Sequence, residues 1–430
     1  MTTHKDETLA GAGAGAGDNA ADRGTLSDLL AVHGYRPLCV SSFLWHTTRW
    51  GGLFSTSYLL TQIANSPLLN QVAGALIFAP MLVGGLFAGI VSDRFDRRRL
   101  LLAAQLTLIP ISLLMFVLVQ SGQVRVWMTF PFMFAVGIGG LLNMTAQRPL
   151  IYETVGDRLA ARALTIETTA QAAAAVVATL LGGVLIQEAG IGASFAGMAI
   201  LLCLSAALLR VVPSPQAAGA GSAPPVSMAS QVRASAELVR RSRRLVALLG
   251  VTVIQNVFYF SFTPIVPVVA KQFGASAVIA GALSAAAGCG QIAAGALLSS
   301  RHIKRRGLVF AGGAGGALLS LSVFASAPLL SIAFAALVVS GVGQAGFASM
   351  QSLLALESAS VSERGAALGV LSTAIGSLPL GMVVIGVGAQ ALGARPALLV
   401  SAVTGFLALI GLMARSPELL APTSRGPSRC

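Results

Sequence analysis

Few side chains in this sequence can do chemistry, and two of them lie where charge is expensive. Arg49 falls near the middle of the apolar run 38–62, and an arginine on a membrane-spanning helix costs at least about 2.5 kcal/mol. It must face a cavity or a partner, either as an anion or proton-relay partner in a central cavity or as a structural pair with a carboxylate. Glu167 lies two turns inside the run 160–186 and is the natural opposite charge. A carboxyl buried away from a cation favours its neutral form, so Glu167 can load a proton from one side and release it on the other. Set nearer the interface, it would simply snorkel. His46, one turn before Arg49, either shares that proton network or is structural. The amides Asn143, Gln147, Gln171, Gln255, Asn256, Gln291 and Gln344 also fall at or near mid-run. Each is either interhelical glue, worth on average about 0.6 kcal/mol, or a substrate ligand, and Asn143, Gln171, Asn256 and Gln291 are the ligand candidates.

Spacing excludes other chemistries. Cys39, Cys203, Cys289 and Cys430 are scattered singly, with no C-x-x-C pair for a disulfide framework or a zinc site. Lysine occurs only at Lys5, Lys271 and Lys304, none of them after a glycine, so the phosphate loop of an ATP-driven pump is missing. His4, His33, His46 and His302 form no cluster of the kind an integral-membrane enzyme needs. The expectation is a protein that makes and breaks no bond and holds no metal or cofactor.

The elements that must position Arg49 and Glu167 are helices in a membrane. Of the 430 residues 55% are hydrophobic and only 10% charged, with a mean hydropathy of +0.81, far from the roughly quarter-charged composition of soluble domains. Apolar runs at 38–62, 72–93, 99–120, 127–151, 160–186, 190–211, 246–270, 277–300, 307–326, 328–353, 364–388 and 392–414 predict twelve helices, each near the roughly 20 residues that cross the hydrocarbon. The long connection 213–245, with Pro213, Pro215, Pro224 and Pro225 followed by Arg240, Arg241, Arg243 and Arg244, reads as a flexible cytosolic linker. It splits the chain into an N-terminal half, 37–212, and a C-terminal half, 246–414. Residues 1–36 read as a disordered cytosolic tail, with a Gly-Ala alternation at 11–17 and no apolar segment ahead of a cleavage site. Residues 415–430 read as a second cytosolic tail.

The basic residues obey one alternation. Arg94, Arg97, Arg98, Arg99, Arg158, Arg162, Arg210, Arg233, Arg301, Lys304, Arg305, Arg306 and Arg364 join the linker arginines on even connections, against Arg125, Lys271 and Arg395 on odd ones. By the positive-inside rule both termini are cytoplasmic, which explains the net charge of +13 without nucleic acid. The chain also repeats itself. Gly89 to Leu100 lines up with Gly295 to Arg306, and Ala146 to Glu153 with Met350 to Glu357, at nearly one offset, as a duplicated six-helix unit requires.

With these residues the chain resembles the major facilitator superfamily over nearly its whole length. The family's G-x-x-x-D-R/K-x-G-R/K-R/K-R/K motif after its second helix stands here as Gly89-x-x-x-Asp93-Arg94-x-Asp96-Arg97-Arg98-Arg99, with Asp96 in place of glycine. That variant is similar to the bacterial subgroup of siderophore and multidrug exporters. So are the stretch Gln147-Arg148-Pro-Leu-Ile-Tyr-Glu153, close to the subgroup's RQALLPELV block, and the run from Gly365 through Gly381. One stretch departs. The antiporter motif G-x-x-x-G-P-x-x-G-G aligns with Ala174-x-x-x-Ala178-Thr179-x-x-Gly182-Gly183, which keeps small residues and loses the proline.

The resemblance implies an all-α membrane fold of twelve helices in two pseudo-symmetric six-helix halves. It implies a cytoplasmic latch at Gly89, Asp93, Arg94, Arg97, Arg98 and Arg148, with Asp93 accepting from the start of the eleventh helix near Arg364. The basic members of that set are equally read as solvated topology anchors. The first and fifth helices border the same half of the family's cavity, which allows a contact between Glu167 and Arg49. The implied function is proton-coupled export of small apolar or amphipathic compounds by a monomer in a bacterial inner membrane. An importer or facilitator, or a sensor that has lost transport, is the alternative.

Overall fold

The computed structural model describes residues 25–94, 96–213, 228–299, 303, 305–360 and 363–420. Side chains at 82–94, 161, 228–232, 234, 235 and 299 lie outside that description. The described secondary structure is helical: α1 (Leu26–Ala31), α2 (Tyr35–Ile63), α3 (Pro67–Arg94), α4 (Arg97–Gln120), α5 (Thr129–Val211), α6 (Met228–Arg241), α7 (Arg243–Ile254), α8 (Val266–Gln272), α9 (Ala277–Ser299), α10 (Arg306–Ser326), α11 (Leu330–Glu357), α12 (Arg364–Ile375), α13 (Leu378–Leu392) and α14 (Ala394–Arg415). In hydrocarbon every backbone N–H and C=O must be satisfied within its own segment, and apolar runs of this length meet that demand only as helices.

Two glycines divide α5. Gly156 (φ 71, ψ 173) and Gly190 (φ 84, ψ 167) leave the helical region, at positive φ that costs a residue with a Cβ far more than glycine. The limbs 129–155, 157–189 and 191–211 result, close to the fourth, fifth and sixth predicted runs. Between α7 and α8 the chain passes through a π turn, Gln255–Tyr259, and a 3-10 turn, Phe260–Ile265. Periodicity did not predict either irregularity. Pro379 lies in the first turn of α13, where its missing N–H is tolerated, and so divides the eleventh run into α12 and α13.

Nine helical segments among the described residues are long and apolar enough to cross a membrane, against the twelve expected. The difference has physical sources. Residues 162–211 form one such segment although Gly190 breaks it. Helix α2 is not among the nine, for it carries Arg49 and His46 as well as the buried hydroxyls of Ser41, Ser42, Thr47, Thr48, Ser55, Thr56, Ser57 and Thr61. In α3 the described side chains, Pro67–Met81, form a shorter apolar helix.

Two segments read as tail or linker contain helix. Thr25 caps α1 reciprocally with Asp28, and Leu29 is fully buried against Tyr35, Leu38 and Leu150. Thr25 hydrogen bonds hold the exposed Asp28 carboxyl below the usual carboxylate range. Within the 213–245 linker α6 is helical, with Glu237 accepting from Arg241 at 2.6 Å one turn on. The linker's Pro215, Pro224 and Pro225, like residues 1–24 of the tail, lie outside the described residues.

The N-terminal half packs α2 and α4 against α5, and the C-terminal half packs α10 and α9 against α11. The two meet where α9 lies on the middle limb of α5 and α13 on α3. The described hydrogen bonds between them sit at the end remote from α1 and α6. Lys271 Nζ donates to Thr61 O (2.9 Å) and Asn65 Oδ1 (3.2 Å), Ser66 Oγ to Gln390 Oε1 (2.7 Å), and Gln71 Nε2 to Ser261 O (2.8 Å).

Candidate functional site

Helix α2 and the middle limb of α5 bring three polar side chains together inside the N-terminal half. Ser42 and His46 are four residues apart, so they share one face of α2. Both reach one oxygen of Glu167: Ser42 Oγ donates to Oε1 at 2.5 Å, and His46 Nε2 lies 3.2 Å from the same atom. Glu167 is 6% exposed and His46 5%, so the carboxylate is inside the protein rather than at an interface. Glu167 Oε2 and His46 Nδ1 are buried without a hydrogen-bond partner. A proton moving between Oε1 and Nε2 would neutralise or create a charge pair without any other side chain shifting, the geometry a proton-carrying site needs.

Arg49 is not part of that cluster. It is 9% exposed, and no carboxylate among the described residues pairs with it. Its guanidinium carbon stands 5.3 Å from the ring centre of Phe78 and 5.8 Å from that of Trp50, a cation–π setting. The guanidinium lies against Gly140, where a Cβ would come within 3.1 Å of Nε. Glycine there makes the room the side chain occupies.

The amides sort differently from the sequence reading. Asn256 lies in the π turn and spends its Nδ2 on Thr252 O at 2.9 Å, a contact within its own helix. Gln171 and Gln291 are half-buried, and Asn143 is buried one turn beyond Gly140. Gln255 and Gln344 stand out instead, 0% and 2% exposed, with all four amide heteroatoms lacking partners. Tyr259 Oη meets Ser340 Oγ at 3.0 Å, and Gln351 Nε2 donates to Thr252 Oγ1 at 3.2 Å, so the two stretches of chain that carry these amides are in contact. Unpaired buried amides cost free energy unless water or ligand satisfies them. The adjacent π turn is the local signal, since such turns collect at functional sites, and the sequence does not announce it.

At the basic end the two halves repeat one device. Arg97, the first residue of α4, pairs with Glu153, and Arg306, the first residue of α10, pairs with Glu357. Glu357 Oε2 also lies 3.7 Å from Arg244 Nη2. Glu153 and Glu357 match in the repeat detected in the sequence, whereas Arg306 lies three residues beyond the position aligned with Arg97. Glu357→Ala leaves Arg244 and Arg306 facing each other uncompensated, so it is expected to cost about 1–2 kcal/mol, read as a lower thermal midpoint of the full chain in detergent. An unchanged midpoint would make the pair ornamental.

Asp96, the departure from the motif's glycine, caps α4 by accepting from Arg99 N at 2.9 Å. Arg98 Nη2 donates to Arg210 O at 2.6 Å, a tie to the end of α5, and Arg148 is exposed. Gly89, Asp93 and Arg94 belong to α3, but their side-chain surroundings lie outside the described residues.

Residues 38–379, and in a second match 262–428, fit the family model described as Major Facilitator Superfamily. No curated protein matches the chain. Among solved structures it is similar to a bacterial homologue of the human lysosomal transporter Spinster in an inward-facing and unoccupied conformation. The identity is 12% and the TM-score 0.72, covering 93% of this chain and 100% of that one. It is also similar to a D-xylose-proton symporter (16% identity, TM-score 0.68, 90% and 98% covered) and to a POT family transporter in complex with 5-aminolevulinic acid (11%, 0.70, 90% and 97%). At these identities the likeness is one of fold.

Proposed function

Because the chain belongs to the Major Facilitator Superfamily, an integral-membrane transporter family and not one of enzymes, we propose that it is a proton-coupled exporter of small apolar or amphipathic compounds. The observation that carries the proposal is the buried Glu167–His46–Ser42 cluster, a carboxylate with one oxygen shared by two partners and the other unpaired. The mechanism is a rocking of two halves of six spans each about a central site. Twelve spans follow if Gly156 and Gly190 mark turns between membrane crossings, α2 and α3 count as two, and α12 with α13 as one.

Contacts between the halves at the end remote from the linker support reading this state as open to the side that holds the basic residues. By the positive-inside rule that side is the cytoplasm of a bacterial inner-membrane protein, which works as a monomer with both termini inside. Protonation of the cluster is coupled to the return stroke, and Arg97, Arg98, Arg148 and the Asp93 region form the cytoplasmic latch.

A facilitator is the second reading, and Thr179 favours it. Its Oγ1 bonds back to Ala175 O at 3.3 Å and Val176 O at 3.2 Å, so the limb carries no rigid proline kink. The deciding experiment reconstitutes the full chain in liposomes with an imposed pH gradient and a panel of dyes, antibiotics and siderophores. Proton movement driven by an added solute, in the sense of exchange, is the expected result. Solute movement with no proton movement hands the function to the facilitator.

A further inference from the structure

Arg49 is a cation inside the protein with no anion to match it among the described residues. The cost of removing such a charge from water is large unless something pairs with it, and aromatic faces return only a part of it. Among the described residues no carboxylate contacts Arg49, and Glu167 meets Ser42 and His46 instead. The flanking groups are instead the rings of Trp50 and Phe78 and the bare backbone at Gly140. Trp50 in turn lines, with Phe54, Thr179, Thr263, Pro267 and Ser284, a cavity of about 20 Å³ between the two halves. That is room for one water, in the seam along which the halves would separate. A guanidinium therefore lies one aromatic residue from the inter-half seam, with a residual 9% exposure.

We propose that the transported compound is an organic anion, a carboxylate, phosphate or sulfonate on an apolar or aromatic body, with its charged group held by Arg49. The guanidinium fork offers paired donors that match such an oxyanion. The low-dielectric surroundings strengthen the contact, while Trp50 and Phe78 receive the apolar body. The anion supplies the missing counter-charge, so binding relieves a cost that the empty protein carries. This rests on the transporter reading and narrows its substrate class.

The test is equilibrium binding to the purified full chain in detergent, with no gradient imposed. The probes are 4-phenylbutyrate, its neutral amide 4-phenylbutyramide and the cation 4-phenylbutylamine. The anion is expected to bind at least about tenfold more tightly than either isostere. Arg49→Gln is expected to reduce the anion to the affinity of the amide. Arg49→Lys keeps the charge without the fork, and is expected to retain the anion-over-amide order while losing several-fold in affinity. If Arg49→Gln does not fold, as its size-exclusion profile and thermal midpoint would show, the lysine variant alone decides. Equal affinity for the three probes, no binding of 4-phenylbutyrate at about 10 mM, or an anion preference that survives in Arg49→Gln overturns the proposal. Charge-selective binding in a protein that moves no solute would instead overturn the transporter reading and leave the anion site standing.

Discussion

Glu167→Gln is expected to reduce substrate-driven proton movement in liposomes to the leak of protein-free vesicles, while solute exchange in the absence of a gradient persists. The substitution holds shape constant and removes charge. Glutamine keeps an oxygen where Oε1 stands, so Ser42 Oγ and His46 Nε2, at 2.5 and 3.2 Å, retain their acceptor. The cluster is buried and would not collapse, because no volume is lost. What disappears is the capacity to take up and release a proton. Coupling fails without the halves ceasing to rock, and the pH dependence of flux flattens. Ser42→Ala removes one donor to the same oxygen and leaves the carboxylate, so a weaker effect is expected there, as a shifted pH profile rather than a loss. Wild-type proton movement in Glu167→Gln would remove this residue from the coupling mechanism, even if solute transport were normal.

The charged members of the site were legible because charge inside an apolar run is rare and expensive. Their partners were not. Opposite signs suggested Arg49 for Glu167, yet Glu167 meets His46 and Ser42. The reason lies along the helix axis rather than around it. Ser42 and Arg49 are seven residues apart, which brings them to nearly the same face of α2 but separates them by about 10 Å of rise. The carboxylate sits at the level of Ser42 and His46 while the Arg49 side chain turns to Phe78, Trp50 and Gly140, and sequence alone does not state the level at which two helices from distant parts of the chain cross. The duplicated basic segments were legible as a repeat that matches Glu153 with Glu357, but it places Ile303, not Arg306, opposite Arg97, so the Arg97–Glu153 and Arg306–Glu357 pairs emerge only in the structure. The π turn at Gln255 was hidden because one extra residue in a turn leaves composition and hydropathy untouched, and with it went the burial of Gln255 and Gln344 without hydrogen-bond partners.

Gly281→Leu is expected to drive the halves apart at the end where they now touch. Small residues survive at 182 and 183 in the α5 limb, where the antiporter motif would have them, and the structure shows what Gly183 does. Helix α9 crosses that limb at backbone contact. A Cβ on Gly281 would lie 3.1 Å from Gly183 Cα and closer still to Thr179 O, and a Cβ on Gly183 would come within 2.7 Å of Ala277 O. Backbone on both sides cannot swing away as a side-chain tip can, so the strain of overpacking, about 1–3 kcal/mol, falls on this conformation alone. If the halves separate here in the opposite state, that state carries none of the strain. The ratio of the two then moves by about 5- to 150-fold.

Ser66 and Gln390, whose side chains meet across the same seam at 2.7 Å, supply the reporter. In a background with Cys39, Cys203, Cys289 and Cys430 replaced by alanine, Ser66→Cys and Gln390→Cys are expected to cross-link readily. Adding Gly281→Leu is expected to slow the cross-link by the same factor as the population shift and to depress transport with it. Gly312→Leu is the control, since a Cβ there meets nothing within 4 Å, and it should leave the cross-link unchanged. An unaltered rate in Gly281→Leu would mean that the contact yields without separating the halves, and the glycines would then be a packing detail of α5 and α9 rather than the fulcrum of the motion.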